Sequence, residues 1–325
     1  MTVDSLRGLH PLTTAAVVVA VLAVSSSAPL IAYAAAPALA IAFWRNALAA
    51  GVLAPVTLVR RRGELLAMTR GASRREGRYC VLAGLALAVH FATWMPSTKL
   101  TSVATAAALV ATQPVWQGLI ALGQGRRLPR SGWVGIGLAV CGAALATGAD
   151  LGTSGTAVAG DLLAVAGGMA AAVYTALGER ARVRLSTTTY TTVCYSVCAV
   201  TLLIGCLLAG VRLGGYDPRT WLAILALVVG AQLLGHSMFN YALHRISATT
   251  VSVLILLEVP AAALLAWAWL GQLPRPAALP GLALVVAGVA VVVLGGVRGG
   301  RGTDAAPPLP QPDPPAAGHG GPART

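Results

Sequence analysis

Residues 84–90 read GLALAVH, and residues 230–236, which lie 146 positions later, read GAQLLGH. The correspondence at this offset continues without a gap through a pair of prolines and three pairs of glycines. Matched leucines and alanines carry little weight in an apolar chain. The chain has only five histidines, however, and His90 and His236 coincide. We interpret the correspondence as an internal duplication.

The composition places the duplicated unit in a membrane. The chain has 325 residues, of which 57% are hydrophobic and 10% charged, and its mean hydropathy is +0.76. Soluble domains contain about a quarter charged residues, so a soluble protein is excluded, as are a disordered chain and a disulfide scaffold. Ten spans of about 20 residues fit the length. The predicted spans are residues 12–34, 37–59, 79–97, 101–124, 131–148, 158–177, 187–210, 219–243, 247–270 and 277–296.

The basic residues predict the orientation of these spans. With the N-terminus inside, 18 of the 23 basic residues fall on the cytoplasmic side and four on the outer side, while Arg45 lies within the second span. Basic loops resist translocation, so this asymmetry favours an N-in/C-in, multi-pass protein of the cell (inner or plasma) membrane. It also explains the net charge of +13 without nucleic acid, since the arginines flank spans and form no basic helix.

The duplication and the spans together predict an all-α integral membrane protein of ten transmembrane helices in two inverted five-helix repeats. Because five is odd, the second copy inserts upside down, and a pseudo-two-fold axis in the membrane plane relates the copies. The predicted organisation is a cytoplasmic N-terminus (1–11), a first repeat (12–148), a linker (149–157), a second repeat (158–296) and a disordered Gly/Pro-rich cytoplasmic tail (297–325).

Arg45 and Glu258 carry charges deep inside predicted spans. A charge at the centre of a transmembrane helix costs about 2.5–3.5 kcal/mol, so each needs a partner or water. Glu258 is predicted to bind a substrate amine or a proton; the alternative is a carboxylate hydrogen-bonded beside a kink at Pro260. Arg45 is predicted to contribute to the same site. Its alternatives are an ion pair, for which Glu258 is a candidate, and a side chain that reaches the outer interface.

Polar and aromatic side chains inside other spans complete the candidate site. His90 and His236 each lie about 12 Å from the end of their helix, which brings both near the bilayer midplane. They could shuttle protons, or stay neutral and bond a backbone carbonyl. Gln232, His236 and Asn240 recur every four residues and predict one polar stripe. The other candidates for substrate contact or coupling are Trp94, Gln113, Tyr174 and Asn240. A few polar groups among aromatic rings favour amphipathic solutes.

The remaining motifs predict neither a metal site nor catalysis. The five cysteines lie in or at the ends of spans without a CxxC pair, which indicates apolar packing. The chain contains no GxSxG or HExxH, and its single lysine, Lys99, is followed by leucine, so neither an enzyme nor ATP-driven transport is expected. Two pairs of glycines, Gly135 with Gly142 and Gly281 with Gly288, predict close helix packing within the chain or across a homodimer.

Five segments resemble those of EamA-type permeases of the drug/metabolite transporter superfamily. They are residues 43–46 (FWRN), 160–164 (GDLLA), 240–249 (NYALHRISAT) and 257–260 (LEVP), with the Gly281/Gly288 pair, and the resemblance covers residues 12–296. One departure is plain. Where the family carries a glutamate after the glycine that ends helices 4 and 9, this chain has Arg126 and Gln272. No role for that carboxylate can be carried over.

The resemblance implies export of small metabolites, often amino acids or toxic organic compounds, without ATP, through a cavity walled by helices 1, 3, 4, 6, 8 and 9. We therefore predict a secondary transporter that exports small amphipathic metabolites by alternating access, with proton coupling through Glu258. The alternatives are a passive facilitator or channel, and a scaffold or sensor without transport. The expected partners are a small-molecule substrate, the lipid bilayer, protons and, in one interpretation of the glycines, a second copy of the chain. Neither nucleic acid nor a cofactor is expected.

Overall fold

The computed structural model describes residues 11–101, 106, 109–147, 155–261, 264–265, 276 and 279–299. Every regular element in this part of the chain is a helix. Several predictions fall wholly or partly outside it. They concern the cytoplasmic N-terminus, most of the linker, the tail from residue 300 onward, and parts of the fourth, fifth, ninth and tenth spans.

The helices follow the predicted spans along the chain. They are α1 (Pro11–Ser25), α2 (Ser27–Tyr33), α3 (Ala38–Arg60), α4 (Arg62–Arg70), α5 (Arg74–Leu100), α6 (Gln113–Gly123), α7 (Arg130–Thr147), α8 (Gly155–Ala181), α9 (Thr187–Leu208), α10 (Pro218–Leu227), a π-helical segment (Val228–His236), α11 (Ser237–Ala242), α12 (Ala248–Ile255) and α13 (Leu279–Gly299). Within the described ranges, six stretches are long and apolar enough to cross a bilayer: α1 with most of α2, α3, α5, α8, α9, and α10 through α11. Shorter apolar helices include α7, α13 and the stretch that begins with α12.

Three features differ from the sequence-based expectation. The 60–78 segment, which lies between two predicted spans, contains α4, whose Glu64 accepts hydrogen bonds from the backbone N–H and the hydroxyl of Ser186 at 2.9 and 2.8 Å. The first span is interrupted at Ser26 rather than continuous. The sixth span, predicted over residues 158–177, belongs to a longer helix, α8, so that Asp161 lies well inside the helix. One carboxylate oxygen of Asp161, Oδ1, is buried and has no hydrogen-bond partner among the described residues.

Contacts between helices cross from the first half of the chain to the second. α8 packs along α5, α9 along α3 and α5, and α13 along α7, while α1 packs against the π-helical segment and α12 against α6. Large side chains such as Phe91, Tyr190 and Tyr195 are fully buried where α5 and α9 meet this core. The outer surface is apolar, with Val59 and Leu208 exposed by 82% and 85%. Such a surface suits a lipid environment.

Glycines bring α7 and α13 into close contact. A Cβ at Gly135 would lie 2.7 Å from the carbonyl oxygen of Gly288. A Cβ at Gly142 would lie 2.6 Å from the backbone nitrogen of Val285 and 2.7 Å from the carbonyl oxygen of Gly281. Because the contacted residue number falls on α13 as it rises on α7, the two helices are antiparallel. These glycines therefore pack two helices of the same chain together, which is the first of the two interpretations.

The middle of the eighth span is π-helical over Val228–His236. Such segments are rare and are found frequently at functional sites. Gly235 allows this segment to approach α1, because a Cβ there would lie 2.5 Å from Cγ2 of Val24. The matching stretch of the first half, around His90, lies within the regular helix α5. The two copies of the duplicated unit therefore differ in backbone at their shared histidine.

Candidate functional site

A buried network of hydrogen-bonded polar side chains, centred on Arg45, connects the two halves of the protein. This side chain is 1% exposed. Its Nε donates to Oε1 of Gln232 at 2.8 Å, and its Nη1 donates to the hydroxyl of Ser27 at 3.5 Å. Nε2 of Gln232 donates in turn to Oδ1 of Asn46 at 3.0 Å. Neither alternative for Arg45 applies within the described residues, since the guanidinium group forms no ion pair and does not reach the surface.

The Nη2 atom of Arg45, which carries two N–H groups, is buried and has no hydrogen-bond partner among the described residues. The guanidinium carbon lies 4.4 Å from the centroid of the Phe91 ring, a cation–π contact that offsets part of the cost of burying the charge. The same ring faces His236, with 5.7 Å between ring centroids and an angle of 75° between planes. A buried cation with an unused N–H can bind an acceptor such as a carboxylate strongly.

Tyr174 and Asn240, both predicted site residues, form a reciprocal hydrogen-bonded pair. The Tyr174 hydroxyl lies 2.9 Å from Oδ1 of Asn240, and Nδ2 of Asn240 donates to the hydroxyl at 2.7 Å. The Tyr174 ring also lies 6.3 Å from the His236 ring, centroid to centroid. Gln232, His236 and Asn240 thus contact α3, α5 and α8 between them. The polar stripe predicted from the sequence is therefore the side of the eighth span that faces the other helices of the core.

His90 is anchored to the backbone of the other half. Its Nδ1 lies 2.9 Å from the carbonyl oxygen of Gly167, and its ring stacks on Trp94 with 5.7 Å between centroids. A carbonyl oxygen only accepts, so Nδ1 carries the proton in this bond. This is the second of the two alternatives for His90, a bond to a backbone carbonyl across a helix crossing. His236 forms no hydrogen bond with any described residue.

Two amides on α6 differ in how their hydrogen bonds are satisfied. Nε2 of Gln113, a predicted site residue, donates to the hydroxyl of Thr175 at 3.2 Å. Gln117 is fully buried, and neither its Nε2 nor its Oε1 has a partner in the described part of the chain. The indole N–H of Trp94 is likewise buried, and no described residue accepts from it. These groups retain hydrogen-bonding capacity in the core beside the predicted site.

Glu258 lies just after a break in the helix that begins with α12, because residues 256–257 form a turn. Its backbone carbonyl accepts from the hydroxyl of Ser25 at 3.4 Å. The half-buried carboxylate forms no hydrogen bond or ion pair with a described residue. No ion pair links Glu258 to Arg45 in the described part of the chain, which leaves the carboxylate without a partner there.

Sequence analysis missed some members of this network. Asn46 follows Arg45 directly, and an amide inside a membrane span is itself a signal, because such groups bond across helices. Gln232 was recognised only as part of a stripe. Phe91 carries no sequence signal, since an aromatic residue in an apolar helix is unremarkable. In the described ranges, no three His, Cys, Asp or Glu side chains are grouped so that they could hold a metal ion.

A duplicated bundle of apolar helices with a buried polar network between its halves is typical of multi-pass membrane transporters. The family model of the EamA-like transporter family matches the chain twice, over residues 12–148 and over residues 158–294. The chain therefore belongs to the EamA-like transporter family, within the drug/metabolite transporter superfamily.

A solved structure supports the fold. It is described only as "Crystal structure of protein", and it matches with a TM-score of 0.72 and 22% sequence identity, over 87% of this chain and 97% of that chain. At this identity the likeness shows the fold alone. Comparison with curated proteins gives no match.

Proposed function

We propose that the chain is a secondary transporter that exports small amphipathic metabolites, such as amino acids, amines or related compounds, by alternating access. In this proposal ten transmembrane helices form two inverted repeats over residues 12–148 and 158–296, joined by the 149–157 linker, in the inner or plasma membrane. The observation that carries the proposal is the polar network at Arg45. It lies between the two halves and contains a buried cation with an unused donor.

The pairing of helices supports the inverted arrangement. A two-fold axis converts a contact between the first and eighth spans into one between the sixth and third. Both contacts occur, as α1 on the π-helical segment and α8 on α5. The pairs α3 with α9 and α7 with α13 join the second to the seventh span and the fifth to the tenth, and each maps onto itself. The glycines agree, because the offset of 146 converts the Gly135–Gly288 contact into the Gly281–Gly142 contact.

The basic segments gather at one end of the molecule, which supports cytoplasmic termini. Arg126 pairs with Glu179 at 3.0 Å, and Arg184 pairs with Glu76 at 3.8 Å. These pairs connect the segments after α6 and α8 with the start of α5. Together with the excess of basic residues in the same segments, they favour this end as the cytoplasmic one.

The charges of the site suit a zwitterionic or cationic solute. Nη2 of Arg45 carries two N–H groups without a partner among the described residues, which suits a carboxylate, whereas a phosphate is usually bound by several cationic side chains. The rings of Phe91, Trp94 and Tyr174 would contact an apolar body. The free carboxylate of Glu258 would bind the amine. Because an isolated charge is costly in this environment, the same carboxylate would take up a proton when no amine is bound. Competition between amine and proton would couple export to proton entry.

A stabilisation screen of the purified chain tests the substrate class. A ligand at 100 times its Kd stabilises the native state by about 2.7 kcal/mol. We expect aromatic and aliphatic amino acids or amines to raise the unfolding temperature and phosphorylated metabolites to leave it unchanged. Arg45→Lys keeps the charge but loses the fork of N–H donors, so it should lose the response to carboxylate ligands. Arg184→Lys, at an exposed position, is the matched control and should respond as the wild type does.

Two results would contradict the proposal. One is stabilisation by phosphorylated compounds rather than by amines or amino acids. The other is an Arg45→Lys variant whose response to carboxylate ligands equals that of the wild type. If no solute binds or crosses the membrane, the chain is a scaffold or sensor and the proposal fails.

A further inference from the structure

An open groove lies where α4 folds back on the ends of α5 and α9. It has a volume of about 570 Å³, and its floor is apolar, formed chiefly by Leu65, Met68 and Val193. Gly77 of α5 permits the close approach of α4, because a Cβ there would lie 3.1 Å from Cβ of Met68. None of the residues that line the groove belongs to the network at Arg45, and the proposed transport gives the groove no role.

Two arginines border the groove. Arg74 and Arg78 lie one turn apart on the same face of α5, and both line it. Both are exposed, and neither forms a hydrogen bond or ion pair with a described residue. The adjacent Arg75 differs, since its Nε donates to the hydroxyl of Tyr79 at 2.9 Å.

The nearby acidic groups contact residues other than the two groove arginines. Glu64 accepts from Ser186 and pairs with Arg61 at 3.3 Å. Glu76 pairs through Oε1 with Arg184 at 3.8 Å, and its buried Oε2 has no partner among the described residues. Neither carboxylate pairs with Arg74 or with Arg78, so no described residue compensates these two positive charges beside the apolar floor. The positive charge beside the apolar floor is complementary to an anionic ligand that also has an apolar part.

The groove continues into the lipid-facing surface of the bundle. Val81 and Leu82 line it one turn further along α5 and are 42% and 46% exposed. A ligand that fills the groove must therefore carry an anionic group beside the arginines and an apolar chain that points toward the membrane interior. A small soluble anion satisfies only the first requirement. Basic pockets between helices at the membrane surface are suited to anionic lipid headgroups.

We propose that this groove binds an anionic phospholipid. Its phosphate lies between Arg74 and Arg78, and one acyl chain runs along Val81 and Leu82. The site tethers α4 to the membrane surface through the lipid. This inference requires only that the chain spans a membrane and is independent of the transported solute.

Lipid binding to the purified full-length chain tests the site. The probes are phosphatidylglycerol and phosphatidylcholine with identical acyl chains, counted on the protein by native mass spectrometry. An arginine that contacts the headgroup of a bound anionic lipid contributes roughly a five-fold gain in affinity. The double variant Arg74→Gln/Arg78→Gln should therefore bind phosphatidylglycerol roughly 30-fold more weakly than the wild type. The control is Arg212→Gln/Arg219→Gln, beyond the other end of α9, which should bind as the wild type does.

A second variant tests the acyl-chain part of the groove. Leu82→Trp fills the groove from an exposed position while both arginines remain, and it should also weaken phosphatidylglycerol binding. Equal wild-type affinity for the two lipids would overturn the proposal. So would undiminished binding by Arg74→Gln/Arg78→Gln, or an equal loss in the control variant. The stabilisation screen for solutes, run in phosphatidylcholine, reports on transport independently of these results.

Discussion

Replacing Gly142 by alanine should weaken the contact between α7 and α13. The new Cβ would lie 2.6 Å from the backbone nitrogen of Val285 and 2.7 Å from the carbonyl oxygen of Gly281. Both obstructing atoms belong to backbone, so the helices must separate by several tenths of an ångström. Overpacking of this kind costs about 1–3 kcal/mol. Gly137→Ala is the matched control in the same helix, because a Cβ there meets nothing within 4 Å.

The comparison isolates the cost of the clash. Each alanine gains about 0.5–1 kcal/mol of helix stability over glycine, and this gain cancels between the two variants. Gly142→Ala should therefore be about 1–3 kcal/mol less stable than Gly137→Ala. The measurement is reversible unfolding in mixed micelles, with the molecular mass followed by light scattering. Equal stabilities would refute the packing argument, and a change in oligomeric mass caused by Gly142→Ala alone would instead indicate a homodimer face.

Two further variants test the network and the α4 contact. Gln232→Leu removes the partner of Nε of Arg45, so it should lower the free energy of unfolding by about 1–3 kcal/mol. Gln117→Leu removes an amide that has no partner among the described residues, so it should not lower the free energy of unfolding. Both variants are compared by unfolding in mixed micelles. Glu64 is subject to opposite effects: partial burial raises its pKa, but hydrogen bonds led by those from Ser186 lower it, and the net pKa is below its usual value. Stability from this carboxylate is thus present above its unfolded pKa of about 4.3 and is lost as the pH falls through the lower folded value. The stability difference between wild type and Glu64→Gln, measured from neutral to acid pH, should shrink over that range, and a constant difference would contradict the assignment.

The composition and the internal repeat predicted the class of fold because both are properties of the whole chain. Long stretches with almost no charged residues indicate a membrane protein, and the paired histidines at an offset of 146 indicate duplication. α4 was missed because Arg62–Arg70 is short, and its position depends on contacts with Ser186 and the floor of the groove. The π-helical segment was missed for a related reason. Gly235 permits the close approach of α1, but only the folded core shows that it occurs.

The sequence predicted which types of residue form the candidate site, but it predicted less well which of them form hydrogen bonds with one another. Arg45 was recognised because a charge in a membrane span is costly, yet its partner is Gln232 and not Glu258. Which polar groups meet depends on how helices rotate about their axes, and an apolar sequence constrains that rotation weakly. His90 and His236 have equivalent sequence positions but different surroundings. His90 contacts a backbone carbonyl and the Trp94 ring, whereas His236 contacts the rings of Phe91 and Tyr174.

Arg126, which stands where the family carries a glutamate, is itself paired with a carboxylate. Arg126 donates to both carboxylate oxygens of Glu179, at 3.1 and 3.0 Å. Oε1 of Glu179 also accepts from the backbone N–H of Ala248 at the start of α12. A carboxylate is thus present at this end of the bundle, but α8 supplies it. The contact joins the first half of the chain to two helices of the second.

Transport by reconstituted vesicles tests the central claim most directly. The measurement compares efflux of a stabilising solute driven by an imposed proton gradient with solute–solute exchange at equal pH, for the wild type and Glu258→Gln. Glu64→Gln is the control carboxylate outside the spans. The proposed coupling predicts that a proton gradient accelerates efflux by the wild type and by Glu64→Gln, and that Glu258→Gln loses this acceleration while retaining exchange of carboxylate-bearing solutes. An efflux rate that neither the proton gradient nor Glu258→Gln alters would contradict proton-coupled antiport and identify a passive facilitator.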